Sequence, residues 1–496
     1  PRTYVTTVVL EGNSGKILSN EELLSHLAQN FPATVISSFN RQNLTVDNSR
    51  AIYRVIPPKP FREDDIVADR SNLSVRYANK GYLAQIEPVK EFNDALTEVR
   101  IIYKITEGKQ IRIDSIEIRG NVKTNRKVIE RELSKTLTRD KVFSYEEIAK
   151  SWQRIYDLGF FKDVKPDPQP VGGSDDLVKL IIDVEERNSR SINTHLGFSS
   201  SEGIRGGIEA VDINLQGTGR TVAFKAQLGT QGRDVEMNFS EPRLLGSSAL
   251  GFVDLYPYTE YSEKGYSEVR KGGNIGASWK PYRVNTLKVT YKYDVLDYTW
   301  EGRADSANIG KIETALQRDV RDNLLNPAKG MFYGLALEYA NPKLGGDETF
   351  TKLTLNNMLY FQLFKEVVLA LGVRAGYAWG LGDSERVLIP EHFRMSDYPT
   401  PRGYKWTTKD TGSVMLNTSM ELRIPVKKWI ATVAFFDFGR VYYEPADFDI
   451  RSMRSSVGLG LRLITPVGPL RLDYGYPIRG HKYRRYLPDI AFGHAF

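Results

Sequence analysis

Leu287-Lys288-Val289-Thr290-Tyr291-Lys292-Tyr293-Asp294-Val295 places an apolar or aromatic residue at every odd position and a polar one at every even position. Successive side chains of a strand point to opposite faces, so this period of two predicts a strand with one apolar and one polar face. The pattern recurs at Val222, Phe224, Ala226 and Leu228, at Val235, Met237 and Phe239, at Tyr333, Leu335, Leu337 and Tyr339, and at Val457, Leu459, Leu461 and Leu463. From about Ser189 to the final residue, Phe496, the chain reads as a succession of such strands. Two architectures share this signature. In a water-soluble sandwich the apolar faces meet each other; in a membrane-spanning barrel they meet lipid and the polar faces line a wet lumen. Alternation alone leaves that choice open.

Composition narrows it in part. The 496 residues include 41 Gly, 27 Tyr, 22 Phe and no Cys, with a net charge of +7. No run of 18 apolar residues occurs, which argues against a transmembrane helix but not against a barrel, whose strands need only every second residue apolar. The missing cysteines exclude a disulfide framework and any thiolate metal site. Pro1-Arg2-Thr3-Tyr4 leads directly into the strand-like Val5 to Leu10, with no export signal, so an exported protein would be a processed or truncated chain here.

The first 187 residues contain a repeat. Val8-Val9-Leu10-Glu11-Gly12-Asn13 is echoed by Ile116-Glu117-Ile118-Arg119-Gly120-Asn121, each a strand closed by a Gly-Asn turn. Downstream, Asp64 to Leu83 and Glu146 to Phe161 read as helices ending near Gly81 and Gly159, with glycine just past the helix end. Two strands close each copy: a short one directly after that glycine, then a longer one at Glu98 to Thr106 or Leu177 to Val184. The repeat unit is therefore strand, helix, helix, strand, strand. The Gly-Asn turns lie 108 positions apart and the helix-end glycines 78, so the first copy is the longer. Its extra segment, Phe31 to Pro60 with four prolines, reads as a lengthened helix and loop. Two unrelated α+β domains with a chance Gly-Asn match are the plainer alternative. Up to Arg187 there are 29 basic and 28 acidic residues, leaving 39 and 33 for the rest. The basic excess thus lies in the strand-rich region, where it suits anionic headgroups or simply a solvated lumen.

Enzymatic signals are poor. His26, His195, His392, His481 and His494 show no metal-ligand spacing. The glycine-rich run Ala375 to Gly382 precedes no helix pattern that could cradle phosphate. The acid pairs Asp64-Asp65 and Glu146-Glu147 open helices, where they complement the dipole. No nucleophile stands beside a base, and no cofactor or nucleic-acid partner is expected. The four Asn-x-Ser/Thr matches are at chance level.

Four motifs carry a resemblance. They are Arg318-Asp319-Val320-Arg321-Asp322-Asn323 followed by Asn326-Pro327 and Lys329-Gly330; Pro401-Arg402-Gly403-Tyr404; Phe435-Phe436-Asp437-Phe438-Gly439; and Ser456 to Pro477, with Gly458-Leu459-Gly460, Thr465-Pro466-Val467-Gly468-Pro469 and Tyr474-Gly475-Tyr476-Pro477. Singly each is weak. In this order, ahead of a terminal Phe, they resemble the outer-membrane insertase superfamily of the BamA and TamA type, and the two N-terminal repeats resemble its POTRA modules.

The resemblance implies α+β POTRA modules at 1–108 and 109–187 and an all-β transmembrane barrel at 188–496. It also supplies a count of 16 antiparallel strands, where sequence length alone admits about 14 to 18. It makes Arg402-Gly403-Tyr404 the tip of a loop folded into the barrel. Arg402 then pairs with Asp437, with Glu421 as a second acidic neighbour, while Gly403 permits a tight backbone and Tyr404 packs on the wall. An exposed loop tip, with Asp437 unpaired in lumen water, is the alternative. Two departures stand out: Pro401 where valine is usual, and His494 where an apolar residue is usual. The function implied is assembly of outer-membrane β-barrel proteins. Clients would add as strands to POTRA sheet edges, and a seam would open between the first barrel strand, near Asn193 to Phe198, and the last, Ile490 to Phe496, which includes Phe492 and a sparsely packed Gly493. Implied partners are unfolded outer-membrane or secreted polypeptides, membrane lipid, and periplasmic chaperones or accessory lipoproteins. The implied location is the bacterial outer membrane, or less readily an organelle envelope, with the modules in the periplasm. A two-partner secretion translocator and a passive porin or surface antigen are the alternatives. Whether further modules precede Pro1 is open.

Overall fold

The computed structural model describes residues 3–27, 50–199, 203–282, 284–382, 386–398, 400–407, 410–466, 468–479 and 488–494. The chain divides into two compact units, Pro1–Asn188 with Gln216–Thr218, and Ser189–Leu215 with Gly219–Phe496.

The first unit holds two sheets. Strands β1 (Tyr4–Glu11), β2 (Arg50–Pro60), β3 (Gln85–Phe92) and β4 (Glu98–Thr106) accompany helices α1 (Asn20–Leu27) and α2 (Glu63–Asn79). They order as β2-β1-β4-β3, with β1 parallel to β4 and antiparallel to β2. The second sheet, ordered β5-β7-β6, contains β5 (Arg112–Arg119), β6 (Phe161–Pro170) and β7 (Leu177–Glu186), beside helices α3 (Arg126–Glu130) and α4 (Tyr145–Asp157). The repeated Gly-Asn turn has a steric cause. Gly12 and Gly120 both lie at positive φ, and a Cβ there would stand 2.2 Å from the Ile105 carbonyl oxygen and 2.0 Å from that of Val184 respectively. Each turn thus presses on the strand that closes its own module. Val8, Leu10, Leu23, Leu73, Ile101 and Tyr103 pack as one apolar core, and the Tyr103 hydroxyl donates to the buried Asp69 carboxylate at 2.9 Å.

Two sequence expectations need correction. Residues 50–60 form strand β2 rather than helix and loop; the rest of that segment, up to 49, lies outside the described residues. Prolines 57, 58 and 60 are tolerated because β2 is an edge strand, where missing N–H groups cost the sheet nothing. The strands following Gly81 and Gly159 are also not short, since β3 has 8 residues and β6 has 10.

The second unit is one antiparallel sheet of sixteen strands. In chain order they are β8 (Arg190–Ser199), β9 (Gly203–Asp212), β10 (Thr221–Gly229), β11 (Gly232–Glu241), β12 (Leu250–Glu263), β13 (Tyr266–Tyr282), β14 (Asn285–Trp300), β15 (Arg303–Asp319), β16 (Gly330–Ala340), β17 (Phe350–Gln362) and β18 (Val368–Gly380). After a loop containing the two-residue strands β19 (Phe393–Arg394) and β20 (Thr411–Gly412) come β21 (Val414–Lys427), β22 (Ile430–Tyr442), β23 (Arg454–Thr465), β24 (Gly468–Pro477) and β25 (Asp489–Phe492). Each strand pairs with its sequence neighbour among the sixteen, and the end strands β8 and β25 approach within 8 Å between Cα atoms.

Burial resolves what alternation could not. On β14, Val289 is 44% exposed while Thr290 and Asp294 are each 1% exposed. On β23, Leu459 and Leu461 face outward while Ser456 and Arg462 are buried. An apolar exterior around a polar interior is the arrangement of a barrel in lipid, and it excludes a water-soluble sandwich. The described residues contain no helix long and apolar enough to cross a membrane. Strands β12 to β15, of 14 to 17 residues, exceed the about 9–11 needed to span a bilayer. Strand β25 has only four.

Candidate functional site

The described parts of the loop from 381 to 413 fold back into the barrel and are held at two points. Near its base Phe393 and Met395 join Leu296, Ile309, Phe350 and Met415 in an apolar cluster. Beside them the Glu391 carboxylate meets Lys311 at 2.8 Å and Arg270 at 3.4 Å, Lys352 donates to the Glu391 carbonyl at 2.9 Å, and Arg394 reaches Glu268 at 3.3 Å. Those partners come from β13, β15 and β17, so the loop is tied to the long-stranded wall.

The second hold is the tip. Arg402 is 1% exposed, and all five guanidinium N–H groups have acceptors. Nε donates to Asp437 Oδ2 at 2.8 Å, Nη1 to Glu421 Oε1 at 2.7 Å and Asp473 Oδ2 at 2.9 Å, and Nη2 to Asp437 Oδ1 at 2.8 Å and Ser419 Oγ at 3.3 Å. Its backbone N–H also donates to Asp437 at 2.9 Å. The planar group lies over the Phe435 ring, with Cζ 3.4 Å from the centroid. A lysine has neither the fork nor the donors for this geometry.

The site balances its charge locally. Arg423 bonds Glu421 at 2.9 Å, and Arg462 bonds Asp473 at 2.5 Å and Glu421 at 3.3 Å. Three guanidinium groups therefore face the three carboxylates Glu421, Asp437 and Asp473. Burying an ion is costly, and mutual attraction offsets that cost only when the hydrogen bonds are nearly complete, as they are around Arg402.

Local sequence creates the pocket. Alternation on β21 turns Ser419, Glu421 and Arg423 to the lumen, and on β24 it does the same for Arg471, Asp473 and Gly475. Gly403, at φ +83°, passes so close to Gly475 that a Cβ on it would stand 2.3 Å from the Gly475 carbonyl oxygen. Gly460 leaves the room Asp473 occupies, since a Cβ there would lie 2.0 Å from its Oδ1. Tyr404 is buried on the wall, and its hydroxyl donates to the Ser455 carbonyl at 2.7 Å and also contacts that of Arg479. The Thr400–Pro401 peptide at the unusual proline is cis.

Arg402, Gly403, Tyr404, Asp437 and Glu421 thus converge on strands β21 to β24. Sequence reasoning missed Asp473, Arg462, Arg423 and Ser419, although Leu470-Arg471-Leu472-Asp473-Tyr474 already shows Asp473 on the polar face of its strand.

The terminal-strand residues lie next to this platform. The β24–β25 ladder runs only from Leu470↔Phe492 to Asp473↔Asp489, and Ile490, paired with Leu472, is exposed outward. The expected strand to Phe496 is therefore corrected at its end. Gly493 takes φ +87°, donates its N–H to the Pro469 carbonyl at 2.7 Å and stops the alternation. Beyond it His494 leaves the lipid-facing series, with Nε2 2.9 Å from Asn326 Oδ1 in the turn between β15 and β16. Phe496 lies outside the described residues. Among those described, no ladder joins β25 to β8.

An antiparallel lipid-facing barrel that locks an arginine-tipped loop in its lumen and follows tandem α+β modules defines a class of transmembrane β-barrel proteins with N-terminal modules. Within that class the chain belongs to the Omp85 superfamily: the Omp85 superfamily domain matches residues 214–494, and the POTRA model, described as a surface antigen variable number repeat, matches 3–108 and 111–187. It is 23% identical to outer membrane protein assembly factor BamA of Neisseria meningitidis serogroup B, over 85% of this chain and 61% of that protein. To the protein of the same name from Neorickettsia risticii it is 25% identical, over 78% and 55%. The chain therefore spans roughly three-fifths or less of these relatives' lengths. The crystal structure of BamA from Haemophilus ducreyi lacking POTRA domains 1–3 superposes with a TM-score of 0.75 at 18% identity, over 88% of this chain and 93% of that one.

Proposed function

We propose that this protein assembles β-barrel proteins into the bacterial outer membrane, with its modules in the periplasm, and that it does so without covalent chemistry. The observation that carries the reading is the contrast in the barrel's own pairing. A sixteen-residue ladder joins β14 to β15, whereas four residues of β25 hold the end of the sheet beside β8. Each ladder hydrogen bond contributes about 0.5–1.5 kcal/mol net, and the four-pair ladder has at most half the pairs of any other ladder in the sheet among the described residues. An opened edge offers unpaired N–H and C=O groups inside the bilayer, where they are costly unless another strand satisfies them, and an incoming client strand does so. The Arg402 platform holds β21 to β24 fixed beside this seam, so opening is confined to β25.

Clients in this reading are unfolded outer-membrane polypeptides, first held by strand addition to the modules. Periplasmic chaperones or accessory lipoproteins would deliver them. The names of the relatives, outer membrane protein assembly factors, support the reading. Depletion followed by proteomics of the outer membrane tests it: loss of many barrel proteins is expected. Loss of a single secreted protein would instead mark a translocator, and loss of solute permeability alone a porin.

A further inference from the structure

Among the described residues the two module sheets have four edges, and proline interrupts three of them. Strand β2 carries Pro57, Pro58 and Pro60, and β3 carries Pro88. On β6 the prolines fall at every second residue, Pro166, Pro168 and Pro170. Proline cannot donate, so the ladder from β6 to β7 uses Lys165, Asp167 and Gln169, opposite Asp183, Ile181 and Lys179. From residue 166 on, the nitrogens turned to the free edge are then those of the prolines, and the Val164 N–H before them is taken by the Asp163 carboxylate at 2.9 Å. Strand β5, Arg112-Ile113-Asp114-Ser115-Ile116-Glu117-Ile118-Arg119, has no proline.

The internal repeat identifies what this edge accepts. Aligning the Gly-Asn turns matches β1 with β5, Val8 with Ile116 and Leu10 with Ile118. In the first module that edge is filled in cis by β2, which lies antiparallel with Val8 opposite Tyr53 and Leu10 opposite Ala51. In the second module the start of the edge is covered, because Ile113 exchanges backbone hydrogen bonds with Asp140 and Lys141 at 2.7 and 2.9 Å. On the side away from β7, no strand pairs with Ser115 to Arg119 among the described residues. The Ile116 carbonyl, which accepts weakly from Arg126 Nη2 at 3.4 Å, points outward and marks the open stretch.

A cavity of about 770 Å³ opens at the start of this stretch, between Ser115 and Ile116 on one side and Leu133, Leu137, Lys135 and Arg139 on the other. Its acids are already engaged: Glu130 pairs with Arg126 at 2.7 Å and Asp114 accepts from the Ser115 hydroxyl at 2.9 Å. Lys135 and Arg139 make no ion pair among the described residues. We propose that the Ser115–Arg119 edge of β5 is the strand-addition site of the second module, and that its groove selects extended polypeptide with acidic side chains on one face. The inference rests on the assembly reading and names where and by what chemistry a client is first held. Main-chain pairing supplies sequence tolerance, apolar side chains meet Leu133 and Leu137, and alternate carboxylates meet Lys135 and Arg139.

The full chain in detergent, with a photo-crosslinker on a cysteine introduced as Ser115→Cys or Gln169→Cys, tests it against short peptides alternating valine with glutamate or with lysine. The glutamate peptide should crosslink at 115 and not at 169, and Lys135→Glu with Arg139→Glu should weaken its binding about fivefold while strengthening the lysine peptide. Pro166→Ala, Pro168→Ala and Pro170→Ala together should add crosslinking at 169, which shows that the proline block, and not misfolding, silenced that edge. Equal crosslinking at both positions in the unaltered background, or indifference to the charge reversal, overturns the inference. Depletion phenotypes are unaffected by either result, so the assembly reading stands or falls separately.

Discussion

The two units of this chain are built from opposite interiors. The first buries Leu23, Ile101 and their neighbours and leaves most of its charge outside, with Asp69 among the exceptions; the second turns leucine and valine outward and buries Arg402, Arg462, Glu421, Asp437 and Asp473. In the modules, specificity comes from shape, and a substitution costs what its lost packing costs. In the barrel lumen it comes from matched charge, and removing one group strands its partners.

That difference can be broken most severely at Arg402. Arg402→Ala leaves three carboxylates facing two arginines in a buried site, and loss of one partner from such a network costs about 3–5 kcal/mol. Thermal unfolding of the barrel in detergent should fall sharply while unit 1 is unchanged, and Arg402→Lys should rescue little of the loss. The reciprocal experiment is Leu23→Ala in the modules, expected to cost about 2–5 kcal/mol, toward the lower end because α1 has only eight residues. Limited proteolysis should then cleave the module and spare the barrel. The smallest effect sharpens the comparison from the charged surface of the modules. Hydrogen bonds from Arg119 and Lys179 hold the partly exposed Glu117 carboxyl down to about 2. A depressed pKa contributes stability that is present above the ordinary carboxylate range and is lost as pH falls toward 2. The melting advantage of the parent over Glu117→Gln should therefore be slight at pH 5 and vanish near pH 2, and an advantage that grew on acidification would contradict it.

The strands were legible in the sequence because the period of two is local; which face met lipid was not, since an amphipathic strand reads the same in a sandwich. Leu287 to Val295 and Val457 to Leu463 acquire a solvent only when the sheet closes around its polar side. Strand β2 escaped notice because Pro57, Pro58 and Pro60 signal a loop unless the strand is known to be an edge, which depends on β1 and β4 far along the chain. Arg402, Asp437 and Glu421 were named from motifs. Asp473 and Arg462 were not, because their roles come from strands brought alongside, although their polar-face positions were readable. The early end of β25 had a visible cause in Gly493, but glycine in a strand is ambiguous until its φ is known.

The central claim is that β25 is the moving part while the wall is fixed. The chain has no native cysteine, so a cysteine in β8 and one in β25 can be joined by a reducible crosslink, with Val289→Cys and Thr314→Cys, register partners on β14 and β15, as the control. Client-barrel insertion in proteoliposomes should stop when the β8–β25 pair is oxidised, return on reduction, and continue throughout in the oxidised control. Full insertion activity with the β8–β25 crosslink intact would contradict the account.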